Sequence, residues 1–141
     1  MKCALILIAV VAGVGAPKAS AARPAIDIDP TRVNFGSQPF ESLTVESFTV
    51  TNRSSEALFV RIDQIHVGDD FSPGLIDSTC TLTDERLLAA GESCIHFVSF
   101  RPSEFFAGRE IATLQVTARD CTGAVVYTRE VTLAGRGFAP R

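Results

Sequence analysis

The stretch LTVESFTVTN, residues 43–52, decides the fold class of this chain. Its side chains alternate strictly, so that Phe48 and Val50 fall on one face of an extended chain and Thr49 and Thr51 on the other. A period of two with one apolar face is typical of a β-strand that is buried on one side. The stretch therefore predicts a sheet that packs against a second layer.

The same pattern recurs on both sides of this strand. Short alternating or apolar segments, separated by turn clusters, predict further strands at residues 25–29, 32–36, 57–67, 94–100, 111–118 and 124–133. Asp120 to Gly123 is a hairpin-type connection between the last two. One exception is Thr83–Ala90, where Leu87 and Leu88 fit a single helical turn. The sequence therefore predicts a single all-β domain, a sandwich or a barrel.

The first 22 residues have the features of a secretory signal peptide. Met1-Lys2 is a basic start, residues 3–14 are apolar or small, and Ala19–Ala22 has small residues for cleavage. The apolar part is shorter than the roughly 20 residues that a membrane span requires, which disfavours an N-terminal anchor. We predict a signal peptide at 1–22, a mature domain at 23–141 without a stable membrane span, and a secreted or periplasmic location.

The net charge of the chain limits the classes of partner that it can bind. The chain has 13 lysines and arginines and 16 acidic residues, a net charge of −3. Without Lys2 and Lys18, 11 arginines remain against the 16 acidic residues, a net charge of −5. A domain that binds nucleic acid shows a basic patch and a high pI, so this balance argues against a nucleic acid partner.

No group of residues forms a recognisable catalytic or metal-binding set. His96 is in phase with Cys94 and Phe100, on the face that we expect to be buried. No serine lies in a G-x-S-x-G motif, and no histidine pair has zinc-ligand spacing. The acidic residues Asp69-Asp70 and Asp77 lack the spacing of a calcium loop, which predicts surface acids. We therefore predict no catalytic residue, no metal and no cofactor.

One predicted strand has large apolar side chains on both faces. Ile95 and Phe97 alternate with the residues of the buried face, and Phe105 and Phe106 follow in the next loop. Two interpretations stay open. The loop folds back and covers Ile95 and Phe97, or the four residues form an exposed apolar patch for a partner. The edge strands of a sandwich offer another mode, pairing with an extended segment of a second chain.

A series of short motifs runs through the predicted mature domain. In order, they are Asn34-Phe35-Gly36, Thr51-Asn52, Cys80, Leu88–Cys94, Phe100–Pro102, Gly108 and Leu133–Gly137. This order resembles the ASH or hydin-type domain, related to the major sperm protein fold, and most closely the repeats of bacterial choice-of-anchor D proteins. The resemblance implies an immunoglobulin-like antiparallel β-sandwich of seven to nine strands. It also implies an interaction or scaffolding module, and it supplies no catalytic residues.

The resemblance also implies a disulfide between Cys80 and Cys94, which stand where the similar bacterial domains have their pair. A bridge across a loop of this size stabilises by about 3 kcal/mol in the chain-entropy model. Cys121 lies in the predicted hairpin tip, and three alternatives stay open for it: a reduced thiol, a disulfide to another chain, or a different pairing within the chain. A homodimer through Cys121 or through an edge strand is therefore a candidate assembly.

Three functions are compatible with these observations. The leading one is an exported, non-catalytic structural or protein-interaction module with a protein partner. The second is a periplasmic assembly factor or chaperone that acts by edge-strand pairing, which requires a long, regular and unpaired edge. The third, a small secreted metal binder or enzyme that uses His96, requires an accessible imidazole with a second ligand within reach.

Overall fold

A computed structural model describes residues 24–66, 69–73, 78–80, 82, 84–105 and 107–141, so the predicted signal peptide lies outside the described residues. The described part contains nine strands. They are β1 (Ile26–Asp29), β2 (Arg32–Pro39), β3 (Thr44–Asn52), β4 (Leu58–His66), β5 (Phe71–Pro73), β6 (Arg86–Leu88), β7 (Ser93–Phe100), β8 (Gly108–Arg119) and β9 (Val125–Phe138). Within this part, no helix is long and apolar enough to cross a membrane.

The strands form two sheets that pack face to face. Sheet 1 has the order β1-β3-β7-β5, and sheet 2 has the order β2-β9-β8-β4-β6. The chain passes from sheet 1 to sheet 2 between β1 and β2. These two consecutive strands therefore form one edge of each sheet. The predicted all-β sandwich is confirmed, with one difference from a purely antiparallel arrangement: β2 runs parallel to β9.

The alternation seen in the sequence places the core between the sheets. Phe48 and Val50 of β3 are buried, as their spacing predicts. Phe35 of sheet 2 contacts two rings of sheet 1, Phe71 and Phe100, with ring centroids 5.6 and 5.5 Å apart. Aromatic pairs at such distances add to the stabilisation from apolar burial, so this cluster holds the two layers together at one end.

The last motif, Leu133–Gly137, has its glycines where another motif approaches. A Cβ atom at Gly135 would lie 2.6 Å from the Phe100 ring, and one at Gly137 would lie 2.6 Å from Cβ of Pro102. Both distances are too short for a Cβ atom. Phe100 and Pro102 are fully buried, so neither side chain has space to move away. The G-x-G and F-x-P motifs therefore form one contact between β9 and the end of β7.

The predicted helical turn at Thr83–Ala90 is wrong. Arg86–Leu88 is the short strand β6, which pairs antiparallel with the start of β4. Leu88 is fully buried whereas Leu87 is exposed, because neighbouring residues of a strand point to opposite faces. In addition, β5 was not predicted, and β2, β8 and β9 extend beyond the predicted residues, β9 as far as Phe138.

Candidate functional site

A disulfide joins Cys80 and Cys94, with their Cα atoms 5.1 Å apart. Both residues are buried between the sheets. The backbone N–H groups of Thr79 and Cys80 both donate to the carbonyl of Ile95, at 2.9 and 3.0 Å. The bridge therefore holds the segment Ser78–Cys80 along β7, on the side that β5 covers farther along. Such a bond is typical of proteins outside the cytoplasm.

His96 is a core residue. Its side chain is only 2% exposed, its Nδ1–H donates to the carbonyl of Cys80 at 3.0 Å, and its ring contacts that of Phe48. Burial lowers the pKa of His96, and the hydrogen bond to Cys80 raises it in part, which favours the neutral imidazole. The metal or enzyme function based on an accessible His96 is therefore wrong. Within the described residues, no three ligand-type side chains are grouped to hold a metal.

Asn52, at the end of β3, is a fully buried hydrogen-bonding centre. Its Nδ2 atom donates to the carbonyls of Glu56, Leu88 and Ala89 at 2.7, 3.0 and 3.2 Å. Its Oδ1 atom accepts from the backbone N–H of Ser54 at 3.0 Å and from its hydroxyl at 2.7 Å. This one side chain joins the β3–β4 turn to the end of β6, which gives the Thr-Asn motif a structural role.

Asp70 and Glu110 form a carboxyl pair where the two sheets meet beside the loop after β7. Asp70 was predicted to be a surface acid, but it is only 8% exposed. Two hydrogen bonds compensate for its burial. Its carboxylate accepts from the N–H of Ser103 and its carbonyl accepts from the N–H of Arg101, each at 2.9 Å. Burial, the hydrogen bond that the protonated Glu110 carboxyl donates to the Asp70 carboxylate, and the charges of Asp70 and Asp69 raise the pKa of Glu110 to about 7.

Glu110→Gln is expected to stabilise the fold at pH 8 and to have little effect at pH 5. The stabilising contribution of protonated Glu110 is complete below its usual pKa of 4.5 and is lost as pH rises through about 7. Because the group is partly solvated, the gain is on the order of 1 kcal/mol, or about 3–5 °C in the thermal midpoint. Thermal unfolding at both pH values measures it. Glu46→Gln, an exposed site on β3, controls for the lost charge, and equal gains at both pH values would contradict the assignment.

Three of the four residues predicted as a partner patch lie in the described part of the chain. Ile95 and Phe97 lie on the outer face of sheet 1, Ile95 near the start of β7. Phe105 follows the other end of that strand and is 82% exposed. Its side chain is therefore largely open to solvent, and a joint patch with Ile95 and Phe97 stays a prediction. Phe106 lies outside the described residues.

Cys121 occupies the hairpin tip, as predicted. The carboxylate of Asp120 closes this turn by accepting from the N–H groups of Thr122 and Ala124 at 2.9 and 3.1 Å, and Gly123 adopts a φ of 85°. Cys121 is disulfide-bonded in the structure, and no described cysteine is a reduced thiol. The pairing of Cys121 stays a prediction.

One edge of β9 is paired along only part of its length. β8 pairs with β9 from Val125 to Gly137, whereas on the opposite side β2 pairs only with Thr132–Phe138. No strand of the described part lies beside Val125–Val131 on that side. We call this segment the open half of β9.

One hydrogen bond identifies which backbone groups of β9 face this open side. The N–H of Thr132 donates to the carbonyl of Thr31 at 3.0 Å, so Thr132 points its backbone polar groups toward the β2 side. This direction alternates along a strand, and the register with β8 is regular from Tyr127 to Gly137. Thr128 and Glu130 therefore direct their N–H and C=O groups to the open side.

The side chains of the open half are partly apolar and partly charged. Val125 and Val126 are 53% and 44% exposed, and Tyr127 packs against the edge of the core. Arg129 and Glu130 are exposed, and neither forms an ion pair with a described residue. This segment therefore combines backbone groups that no described strand pairs with, apolar surface, and two charges without a described ion-pair partner.

Other edges of the sheets are short or interrupted, although residues 44–48 of β3 are likewise unpaired on the side of β1. β1 has four residues, and β5 and β6 have three each. β2 has a register shift between Asn34 and Gly36 and ends at Pro39. Short strands, bulges and prolines all hinder pairing with another chain. From Tyr127 to Val131, β9 has none of these, which makes it suited to accept a strand. Sequence reasoning missed this site, because the pattern of β9 does not show where β2 begins.

Comparison with known proteins gives structural matches only. No protein-family model and no curated protein matches the sequence. The ASH/PapD-like domain of human CEP192 (PapD-like domain 7) matches with a TM-score of 0.67 and 11% identity, over 93% of this chain and 97% of that one. WR4, a C. elegans MSP family member, matches with a TM-score of 0.55 and 9% identity, over 82% of this chain and all of WR4.

The E. coli chaperone DraB is also similar, with a TM-score of 0.56 and 15% identity over 82% of this chain, which spans 56% of DraB. Identities this low establish the fold alone. The chain has an ASH and major sperm protein type of immunoglobulin-like fold, which confirms that part of the resemblance. The closer resemblance to choice-of-anchor D repeats stays a prediction.

Proposed function

We propose that this chain, a sandwich with an ASH and major sperm protein type of fold, is an exported, non-catalytic module that binds other proteins through the open half of β9. The observation that carries this proposal is the outward direction of the backbone groups of Thr128 and Glu130. An edge with unmet N–H and C=O groups binds an extended segment by adding it as a strand. The exposed Val125 and Val126 beside it add apolar surface.

Four further observations support the remaining parts of the proposal. The N-terminal pattern of residues 1–22 and the Cys80–Cys94 disulfide both favour an oxidising compartment outside the cytoplasm. The net charge of −5 expected for the mature chain favours a protein partner over a nucleic acid. The burial of His96 leaves the module without an accessible imidazole at that position, which favours binding over catalysis.

The same edge is relevant to the second candidate, an assembly factor or chaperone that pairs with a client strand. That function requires a long, regular, unpaired edge. In β9 only the residues from Tyr127 to Val131 are both open and regular, and β2 closes the edge from Thr132 onward. The short opening favours a binding module that accepts a short segment.

Two proline variants separate edge binding from folding. Thr128→Pro removes an N–H that faces the open side, so the free energy of unfolding should change by less than about 1 kcal/mol. Arg129→Pro removes an N–H that faces β8 and breaks the ladder, which should cost roughly 1–3 kcal/mol. Urea denaturation measures both. Equal losses in the two variants would contradict the assigned backbone directions.

The function is tested with the variant that keeps the fold. Tagged wild-type protein, Thr128→Ala and Thr128→Pro are purified from the cells that produce the chain, and the proteins that accompany each are compared. We expect the wild type and Thr128→Ala to retain the same partner and Thr128→Pro to lose it, because only proline blocks the edge. If Thr128→Pro retains every partner of the wild type, the open half of β9 is not the binding surface.

A further inference from the structure

We propose that the strand accepted by the open half of β9 comes from a different protein and carries an acidic residue opposite Arg129 and a basic residue opposite Glu130. Its residue opposite Tyr127 is apolar. This inference rests on the proposed function, since it specifies the partner of the same edge.

The charges of Arg129 and Glu130 select the charged residues of a partner strand on opposite faces of sheet 2. Arg129 and Glu130 are neighbours in a strand, so their side chains point to opposite sides of sheet 2. Both are exposed, and neither is neutralised by an ion pair with a described residue. A residue directly opposite on an added strand places its Cβ atom about 5 Å away, close enough for opposite charges to attract and like charges to repel. Each face therefore favours one sign of charge.

The apolar position follows from the face that Arg129 shares with its second neighbours. Tyr127 and Val131 lie on the side of β9 that faces sheet 1; Val131 is fully buried and Tyr127 packs against the core. Thr31 already lies beside Val131, because Arg32 pairs with Thr132 in the parallel register. The side chain of an added strand opposite Tyr127 would extend the core sideways. An apolar residue there removes additional surface from water, whereas a polar one would lose hydration.

A second copy of this chain fits the edge less well. If Thr128 pairs with Glu130 of the copy, a two-fold antiparallel arrangement sets Arg129 against the copy's Arg129. In that register the copy's β2, which begins beside its Thr132, also meets Val126. If Thr128 pairs with the copy's Thr128, Arg129 faces a tyrosine and Glu130 faces a valine. Neither register gives Arg129 an acidic partner, so the charges favour a different protein.

The partner chemistry can be written as a peptide. Antiparallel to β9, starting opposite Glu130, the pattern is basic, acidic, β-branched, apolar. The capped peptide Gly-Ser-Val-Lys-Glu-Thr-Val-Ser-Gly carries it, and Gly-Ser-Val-Glu-Lys-Thr-Val-Ser-Gly has the same composition with the charges exchanged. Titration of ¹⁵N-labelled protein with each peptide at millimolar concentration, followed by amide hydrogen exchange, measures binding and its location.

The first peptide is expected to slow hydrogen exchange at Thr128 and Glu130 and to bind about five-fold more tightly than the second, given two cross-strand charge pairs. The double variant Arg129→Glu/Glu130→Arg keeps composition and net charge and should reverse this preference. Thr128→Pro should bind neither peptide.

Three results would overturn this inference. Equal affinity for the two peptides would show that charge does not select the partner, and absence of binding by either would exclude the stated pattern. Concentration-dependent dimerisation of the protein alone, with protection of Thr128, would assign the edge to a second copy. The first two leave the proposed function intact, because that fails only if Thr128→Pro retains the partners of the wild type.

Discussion

Replacing Asn52 by alanine is expected to lower the free energy of unfolding by about 3–5 kcal/mol. The side chain is fully buried and serves the carbonyls of Leu88 and Glu56 and the N–H of Ser54. Alanine leaves the buried carbonyl of Leu88 and the N–H of Ser54 without this partner and removes one of the two donors to the carbonyl of Glu56. Each buried group left unpaired costs roughly 1–3 kcal/mol. Urea denaturation followed by circular dichroism measures the loss.

Two variants make this expectation specific. Asn52→Asp keeps the acceptor for Ser54 but points a carboxylate oxygen at backbone carbonyls, so it should destabilise at least as much as alanine. Ser54→Ala removes one hydroxyl donor and keeps the backbone N–H, so it should cost only about 1 kcal/mol. A loss below 1 kcal/mol in Asn52→Ala would mean that the turn and β6 do not depend on this side chain.

Removal of the Cys80–Cys94 bridge in the double variant Cys80→Ala/Cys94→Ala should cost about 3 kcal/mol, or roughly 10–15 °C in the thermal midpoint. The unfolded chain gains the freedom of the loop, and the segment Ser78–Cys80 loses its covalent link to β7. Differential scanning calorimetry gives the midpoint. Hydrogen exchange at Ile95, whose N–H donates to Oγ1 of Thr79 at 2.7 Å, should also accelerate.

Reductant supplies the matched control for this variant. The wild type should lose comparable stability when the bridge is reduced, whereas the double variant has no such bridge to lose. If the double variant unfolds within about 1 kcal/mol of the oxidised wild type, the bridge does not set the stability of this edge.

Regular alternation made most of the fold predictable. In β3 the apolar residues Phe48 and Val50 alternate with threonines over a long stretch, and the structure buries the face that this pattern indicates. β6 was missed because it has three residues and two adjacent leucines, a pattern common to strands and helical turns. A sequence pattern does not identify an element that is too short to show its repeat more than once.

The candidate site was less predictable, because it depends on distant parts of the chain. β2 and β9 are about 100 residues apart in sequence, and the open half of β9 exists because β2 begins only beside Thr132. The pairing of Asp70 with Glu110 likewise depends on how two loops meet. Neither relation leaves a local pattern, whereas the His96 face, set by alternation within one strand, was predicted correctly.

The burial of Asn52 also determines how this protein can be produced. Asn52-Arg53-Ser54 is an acceptor sequence for N-linked glycosylation. An oligosaccharide attached to Nδ2 before folding would leave too few N–H groups for the carbonyls of Glu56, Leu88 and Ala89, and it has no space at a fully buried position. In a eukaryotic secretory host, each modified chain would therefore be lost to misfolding. A host that does not glycosylate this sequence in its secretory pathway is the suitable source of folded protein.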